Sequence, residues 1–222
     1  MTDSNRLIVF VRLPEKGKVK TRLARTMGDE TTLALYRCFV LDTLAAARRT
    51  ACPTGVFFYP PDLQDVPLDW LGDGLTFLPQ EGEDLGERMF IALQKTLLDC
   101  PRAVLIGSDC PDLPPAVIRE AFESLKTHDA VLGPAADGGY YLMGFSSTAI
   151  IPAPFKGIRW GGPDVFDATV AVLKENGVSV HVLPLWRDID EYGDLKAFFH
   201  VHKDDPRGRL LTVDFLRDHL HW

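Results

Sequence analysis

The sequence predicts an α/β protein built on a mainly parallel sheet. Short apolar runs rich in valine, isoleucine and phenylalanine alternate with segments of helical periodicity, which is typical of βαβ units. The run at 103–107 contains no polar residue, as expected for a parallel strand covered on both faces. The chain of 222 residues is long enough for a large core and predicts one domain, residues 1–222.

Several classes of protein are disfavoured by the composition. The formal net charge of -7 argues against a nucleic-acid partner, for which a basic surface is expected. No apolar run reaches the roughly 18 residues that span a bilayer, and residues 1–6 lack the pattern of a signal peptide. We therefore expect a cytoplasmic protein without a membrane span. Four cysteines without CxxC spacing predict neither a zinc cluster nor a disulfide framework.

The first half of the chain begins with a strand of β-branched and apolar residues and continues with an amphipathic helix, in which Leu33, Tyr36 and Val40 recur at helical spacing. A second strand ends at Pro60, and a weaker third strand leads into another helix. A loop or short helix is expected at 62–74. The predicted elements are strands 7–11, 55–59 and 75–79, helix 29–50, and a helix that follows Gly86.

The second half continues this alternation. Prolines 114 and 115 suit the first turn of a helix, and the Asp-Gly-Gly turn after the strand at 130–134 predicts a hairpin. The predicted elements are strands 103–107, 130–134, 140–145 and 178–184, and helices 116–126, 165–176, 195–202 and 209–221.

Two carboxylates, Asp109 and Asp112, follow the strand at 103–107. In open α/β sheets, ligands bind beyond the carboxyl ends of the strands. The pair could hold Mg²⁺, which is usually bound by one or two carboxylates together with substrate phosphates. One of them could instead be a phosphorylated nucleophile, or Asp112 could cap the next helix while Asp109 lies in a solvated loop.

A basic stretch follows the first strand: residues 12–25 contain six cations and one anion in an otherwise acidic chain. Such a run is usually solvated, but its position after a strand, with Gly17 allowing close backbone approach, favours phosphate binding. It is not a Walker A loop, because Pro14 and Val19 occupy glycine positions of that motif. The GxGxxG fingerprint is also missing.

Three further segments could contact a ligand. Glycines 82 and 86 lie at a strand-to-helix junction, where free backbone N–H groups bind anions, although Asp84 could simply cap the helix there. In the turn at 137–139, the two glycines have no side chain, so a substrate could approach the backbone closely. Asp188-Ile189-Asp190 follows the last strand and could complete a metal site with Asp109.

Three motifs together resemble a known family: Arg12-x-Pro-x-x-Gly17-x-x-Lys20-Thr-Arg22-Leu, Gly107-Ser108-Asp109-Cys-Pro-Asp112-Leu-Pro, and Gly133-Pro-x-x-Asp137-Gly138-Gly139-Tyr140-Tyr-Leu-x-Gly. They resemble the uncharacterised bacterial branch of the nucleotide-diphospho-sugar transferase superfamily, which is related to molybdenum cofactor and phospholactate guanylyltransferases. The resemblance extends from about Arg6 to Leu195. It implies the glycosyltransferase A fold, a three-layer Rossmann-like sandwich with a mainly parallel mixed sheet.

The resemblance also implies roles for individual residues. Lys20, Arg22 and Asp109 would be catalytic, and Asp109 and Asp190 would bind Mg²⁺ or Mn²⁺. The acceptor would lie against Asp137, Gly138, Gly139 and Tyr140. The nucleotide and its phosphates would be bound by Arg12, Gly17, Lys20, Arg22, Gln80, Asp84, Gly86 and Ser108. The first loop has a single glycine where sugar-nucleotide pyrophosphorylases have several, so the base is not predicted.

The function predicted is Mg²⁺-dependent nucleotidyl transfer from a nucleoside triphosphate to a small phosphorylated or hydroxyl acceptor, with release of pyrophosphate. Catalysis of this kind requires mainly positioning and charge neutralisation. The same residues allow a glycosyltransferase that uses a nucleotide-sugar donor. A non-catalytic nucleotide-binding module is the second alternative.

Overall fold

The computed structural model describes residues 5–61, 69–205 and 209–219. Its strands are β1 (Arg6–Arg12), β2 (Thr54–Tyr59), β3 (Thr76–Pro79), β4 (Arg102–Ile106), β5 (Ala130–Pro134), β6 (Tyr140–Ser146) and β7 (Val180–Val182). Its α-helices are α1 (Thr21–Met27), α2 (Asp29–Arg48), α3 (Leu85–Leu97), α4 (Pro115–Ser124), α5 (Val165–Glu175), α6 (Tyr192–His202) and α7 (Leu211–His219). Short 3₁₀ helices occur at Asp69–Leu71 and Ala153–Phe155.

The seven strands of the described residues form one sheet in the order β3-β2-β1-β4-β6-β5-β7. β1 pairs in parallel with both β2 and β4, and β5 pairs in parallel with β7. Only β6 runs antiparallel to its neighbours, β4 and β5, so the predicted hairpin is confirmed. The sheet is therefore mainly parallel but mixed, as predicted.

Both faces of the sheet are covered by helices. In β1, Leu7, Val9 and Val11 pack with α1, α2, α4, α6 and α7, whereas Ile8 and Phe10 pack with α3 and α5. This alternation follows from the two-residue period of a strand, and it explains why the buried strands contain apolar residues at every position. The predicted three-layer α/β fold is confirmed.

Several boundaries differ from the prediction. α1 was not predicted, because its sequence reads as part of the basic stretch. α6 begins at Tyr192 instead of residue 195, because Glu191 and Asp194 form a capping box at its start. β7 is shorter than predicted. Residues 62–68 of the predicted loop and residues 220 and 221 of the last predicted helix lie outside the described residues.

The topology determines where a site can form. β1, β2, β3 and β4 are parallel, so their carboxyl ends meet at one edge of the sheet. β6 runs in the opposite direction and begins at that edge, which brings Tyr140 close to the residues after β4. In the part of the chain that is described, no helix has both the length and the apolar character needed to cross a bilayer.

Candidate active site

A cavity of about 890 Å³ opens at this edge of the sheet. Its walls come from the ends of β1, β2 and β4, the loop before α1, the start of β6, and two later loops around residues 160–162 and 188–190. Segments far apart in sequence therefore share one space. Of the residues predicted for the site, the lining includes Arg12, Gly17, Lys20, Arg22, Gln80, Ser108, Asp109, Asp137, Gly139, Tyr140 and Asp190.

Within the cavity lining, the ammonium of Lys20 contacts two carboxylates. Lys20 Nζ lies 2.7 Å from Asp109 Oδ1 and 2.6 Å from Asp190 Oδ1, and only 7% of the Lys20 side chain is exposed. Burial alone would lower the pKa of Lys20, but the two carboxylates outweigh it and the pKa is raised. Lys20 is therefore charged at neutral pH. We call Lys20, Asp109 and Asp190 the Lys20 centre.

The backbone around Lys20 is unusual. Lys20 has a φ of 43°, in the left-handed region that residues with a Cβ seldom adopt, and it immediately precedes α1. Its neighbour Val19 is buried in the core, so the chain turns sharply to direct the apolar and the charged side chain to different places. Residues held in such conformations often lie at functional sites.

A second set of contacts holds the loop that carries Asp190. The Ile189 N–H donates to the Asp109 carbonyl at 3.0 Å. Asp112 accepts a hydrogen bond from Trp186 Nε1 at 3.0 Å and pairs with His202 Nε2 at 2.9 Å. Asp112 does not cap α4, whose N-cap is Pro114. It instead ties the loop after β7 and the end of α6 to the loop after β4.

Further charged side chains lie close to the Lys20 centre. Burial, together with Asp137 and Asp190, raises the pKa of Asp188 to about 6. Arg22 is 62% exposed, and its guanidinium reaches Asp190 and Glu191 only at 3.9 Å. Arg22 is thus weakly engaged and remains available to a ligand.

Buried hydroxyls line the floor of the cavity. Ser108 Oγ and the Tyr36 hydroxyl lie 3.1 Å apart, and the Tyr36 hydroxyl accepts from the Arg12 N–H at 3.1 Å. Burial, with Asp109 nearby, raises the pKa of Tyr36 to about 12, so this hydroxyl stays neutral. The network links the end of β1 to the end of β4 through α2.

Another part of the cavity lining is aromatic and basic. The Arg88 guanidinium lies 4.0 Å from the centre of the Tyr59 ring, and the Arg12 guanidinium lies 5.9 Å from it. We call Arg12, Tyr59 and Arg88 the Tyr59 stack. Nearby in the lining, Tyr140 meets Trp160 edge to face at 6.3 Å. Burial raises the pKa of Tyr140, which stays protonated.

Comparison with known proteins shows which family this chain belongs to. Residues 43–162, more than half of the chain, match the family described as "Uncharacterized protein conserved in bacteria (DUF2064)". The chain belongs to this family. A crystal structure from Desulfovibrio desulfuricans G20, named as a candidate nucleotide-diphospho-sugar transferase, has 40% sequence identity and a TM-score of 0.92, over 98% of this chain and 95% of that one. Comparison with curated proteins found no match.

More distant solved structures share the fold of this DUF2064 member. CMP:2-keto-3-deoxy-manno-octonic acid synthetase complexed with CTP is 8% identical, with a TM-score of 0.56 over 88% of this chain and 96% of that one. The Rv0371c protein of Mycobacterium tuberculosis H37Rv, complexed with manganese, is 17% identical, with a TM-score of 0.52 over 88% and 97%. The predicted superfamily is confirmed, whereas the relationship to molybdenum cofactor and phospholactate guanylyltransferases stays a prediction.

Some residues predicted to bind the nucleotide also make structural contacts. Asp84 lies outside the cavity and caps α3, accepting from the Glu87 N–H at 2.8 Å. At Gly86, a Cβ would overlap the Phe155 carbonyl and the Trp160 ring, so this glycine allows close packing. Gln80 is buried and donates from Nε2 to the Phe57 carbonyl at 2.8 Å, although it also lines the cavity.

Gly138 also has a packing reason. It has a φ of 92°, and a Cβ there would overlap the carbonyl of Pro163. Its own carbonyl accepts from the Phe166 N–H at 2.9 Å, which fixes the turn against the start of α5. Gly139 and Tyr140, the next two residues, do line the cavity. Gly138 therefore does not line the cavity itself but positions the two residues that do.

Two members of the Lys20 centre, Asp109 and Asp190, carry oxygen donors of the kind that hard divalent cations prefer. Mg²⁺ and Mn²⁺ prefer such oxygen ligands, but the Oδ1 atoms of Asp109 and Asp190 both contact Lys20 Nζ, so the ammonium holds the point between them. Among the described residues, no group of three or more His, Cys, Asp or Glu side chains could hold a metal ion. A cation here would therefore need further ligands from a substrate, as Mg²⁺ in phosphate-transfer sites usually does.

Proposed function

We propose that this protein is a transferase that uses a nucleotide donor, and specifically a Mg²⁺- or Mn²⁺-dependent nucleotidyltransferase. In the proposed reaction, a phosphate or hydroxyl oxygen of a small acceptor attacks the α-phosphorus of a nucleoside triphosphate, and pyrophosphate leaves. The observation that carries the proposal is the Lys20 centre, because it joins one cation to two carboxylates inside a cavity that cationic side chains also line.

The relatives support the proposal at two points. A protein of the same fold is known in complex with CTP, and another in complex with manganese. Both ligands suit a site that combines carboxylates with phosphate-binding cations. The charge of the cavity is also consistent with a polyphosphate, since Arg12, Lys18, Arg22 and Arg88 line it in addition to Lys20.

In the proposed mechanism, Asp109 and Asp190 would hold the divalent ion, which supplies neutralisation of charge on the phosphates. Arg22 is exposed and weakly paired, so its guanidinium can bind two phosphate oxygens of the leaving pyrophosphate. Lys20 keeps the two carboxylates together before substrate binds and contributes positive charge beside the phosphates. A phosphate acceptor is already ionised, so no general base is assigned.

One domain, residues 1–222, is part of this proposal. The cavity gathers residues from Phe10 to Asp190 around a single sheet edge, which supports one functional unit.

Glycosyl transfer from a nucleotide-sugar is the second candidate, favoured by the name of the Desulfovibrio relative. The same residues would then support departure of a nucleoside diphosphate. The leaving group separates the two candidates, because pyrophosphate leaves in the first reaction and a nucleoside diphosphate leaves in the second.

The test is a two-arm screen of the purified protein with Mg²⁺. One arm combines each nucleoside triphosphate with sugar phosphates and measures pyrophosphate; the other combines nucleotide-sugars with sugar acceptors and measures nucleoside diphosphate. We expect pyrophosphate, with none formed in EDTA or by Asp109→Asn, whose folding is checked by circular dichroism. Diphosphate release alone would replace the proposal by glycosyl transfer. Nucleotide binding without turnover in either arm would favour a non-catalytic module.

A further inference from the structure

The Tyr59 stack lies at the edge where the strands end. Arg12 and Tyr59 are the last residues of β1 and β2 and are partners in the register of these strands. Arg88 comes from α3, close to its first turn, and its guanidinium lies 4.0 Å from the Tyr59 ring centre. All three residues line the cavity. Two cations that would repel each other are thus held against one ring.

Neither guanidinium has an anionic partner among the residues that the structure describes. Among the residues that the structure describes, the side chains of Arg12 and Arg88 form no ion pair, although carboxylates outnumber cations in this chain by 31 to 24. Arg88 Nε is buried and has no hydrogen-bond partner there. A buried donor left without an acceptor is unfavourable, and more so when it is charged. The arrangement is therefore incomplete without a ligand.

The geometry also restricts what the ligand can be. Stacking on an aromatic face orients the guanidinium plane and leaves its in-plane N–H donors free. These donors match the spacing of two oxygens on one phosphoryl group. Because the side chain is already held by Tyr59, binding loses little conformational entropy.

We propose that Arg88, with Arg12 and Tyr59, forms an anion subsite that binds a phosphoryl group of a substrate. The subsite shares no residue with the Lys20 centre, in which the cation is already paired with carboxylates. The inference rests on the proposed function in one respect: that function is the reason for assigning a phosphoryl group and not another anion to the subsite. The phosphoryl group could belong to the nucleotide donor or to a phosphorylated acceptor.

The test compares two arginines that both lie against an aromatic ring. Arg88→Met removes the charge in the cavity, whereas Arg37→Met removes an arginine 5.9 Å from the Trp70 ring, outside the cavity lining. Binding of inorganic pyrophosphate is measured by calorimetry without metal. We expect Arg88→Met to weaken it roughly tenfold or more, since a hydrogen bond to a charged group is lost. Arg37→Met should match the wild type.

Two further measurements keep the test decisive. Arg88→Lys retains the charge but not the planar guanidinium, so its affinity for pyrophosphate should lie between those of Arg88→Met and the wild type. If Arg88→Met fails to fold, Arg88→Lys takes its place in the comparison. Inorganic phosphate is also titrated into protein saturated with a nucleoside triphosphate. If Arg88→Met weakens phosphate binding in this titration but leaves nucleotide binding unchanged, the phosphoryl group belongs to the acceptor. If it weakens nucleotide binding, the phosphoryl group belongs to the donor.

The inference is overturned if Arg88→Met and Arg88→Lys bind pyrophosphate and phosphate as the wild type does, or if the wild type binds neither anion. It survives a failure of the proposed function, because anion binding is measured without turnover. A protein that binds pyrophosphate through Arg88 but transfers no nucleotidyl group would retain the subsite and lose the proposed reaction.

Discussion

The Lys20 centre and the Tyr59 stack both place cations in the cavity lining, but these cations have different partners. At the Lys20 centre, the ammonium has two carboxylate partners within 2.7 Å and is almost completely buried. In the Tyr59 stack, two guanidiniums face an aromatic ring and have no carboxylate partner among the described residues. The pairing of a cation thus indicates its role in the cavity. The paired Lys20 organises other side chains, whereas the unpaired Arg88 is available to a ligand.

Replacing Lys20 should have the largest effect. Lys20→Met leaves Asp109 and Asp190 without their shared cation, so both carboxylates can separate and repel the incoming phosphates. We expect turnover in the pyrophosphate-release assay to fall by about a thousandfold, the size seen when a key charge-stabilising group is lost. Lys16→Met is the matched control, because Lys16 pairs with Glu30 at the surface. Turnover within a few-fold of wild type would remove Lys20 from the mechanism.

Removing Asp112 should lower stability instead. Asp112→Ala leaves the Trp186 N–H and His202 without their partner, and a lost buried hydrogen bond of this kind costs about 1–3 kcal/mol. The free energy of unfolding, measured in urea, should fall by that amount, and Trp186→Phe should lower it less. The Mg²⁺ dependence of nucleotide binding should remain. Loss of that dependence with unchanged stability would make Asp112 a metal ligand.

The smallest effect that we expect is on thermal stability, and it comes from the carboxyl group of Asp188. The pKa of Asp188 is raised to about 6, so the folded state binds its proton more tightly than the unfolded state. Stability from this group is therefore full below about pH 4 and is lost as the pH rises through 6.

Asp188→Asn removes this dependence. The melting temperature of the variant, measured in EDTA, should rise relative to wild type between pH 4 and pH 7. A difference that stays constant over this range would show that the two proteins titrate alike and that Asp188 is not perturbed.

The sequence predicted the fold because apolar runs such as 7–11 and 103–107 alternate with segments of helical periodicity. It also placed Asp109 and Asp190 at one edge, although 81 positions separate them, because each lies in the loop that follows a strand. It did not predict that Lys20 pairs with both carboxylates. Nothing in a run of cations shows which one is buried, because that depends on the left-handed turn at Lys20.

Arg88 was missed for a related reason. A charged residue near the start of an amphipathic helix usually lies on the solvated face, and nothing near it in the sequence contradicts that interpretation. Its place in the cavity depends on Tyr59, which belongs to a distant strand. Conversely, Asp84 and Gly86 were predicted to contact the nucleotide from their residue types and their place at a strand-to-helix junction. The same residue types also serve to cap helices and to allow close packing, as they do here.

The most direct test of the account is the affinity of the protein for a nucleoside triphosphate, measured by calorimetry with Mg²⁺ and with EDTA, in wild type and Asp109→Asn. If the Lys20 centre joins a divalent ion to the phosphates, Mg²⁺ should tighten binding by roughly tenfold or more in the wild type and have little effect in the variant. Equal affinity in Mg²⁺ and EDTA for the wild type, or the same gain from Mg²⁺ in Asp109→Asn, would contradict it.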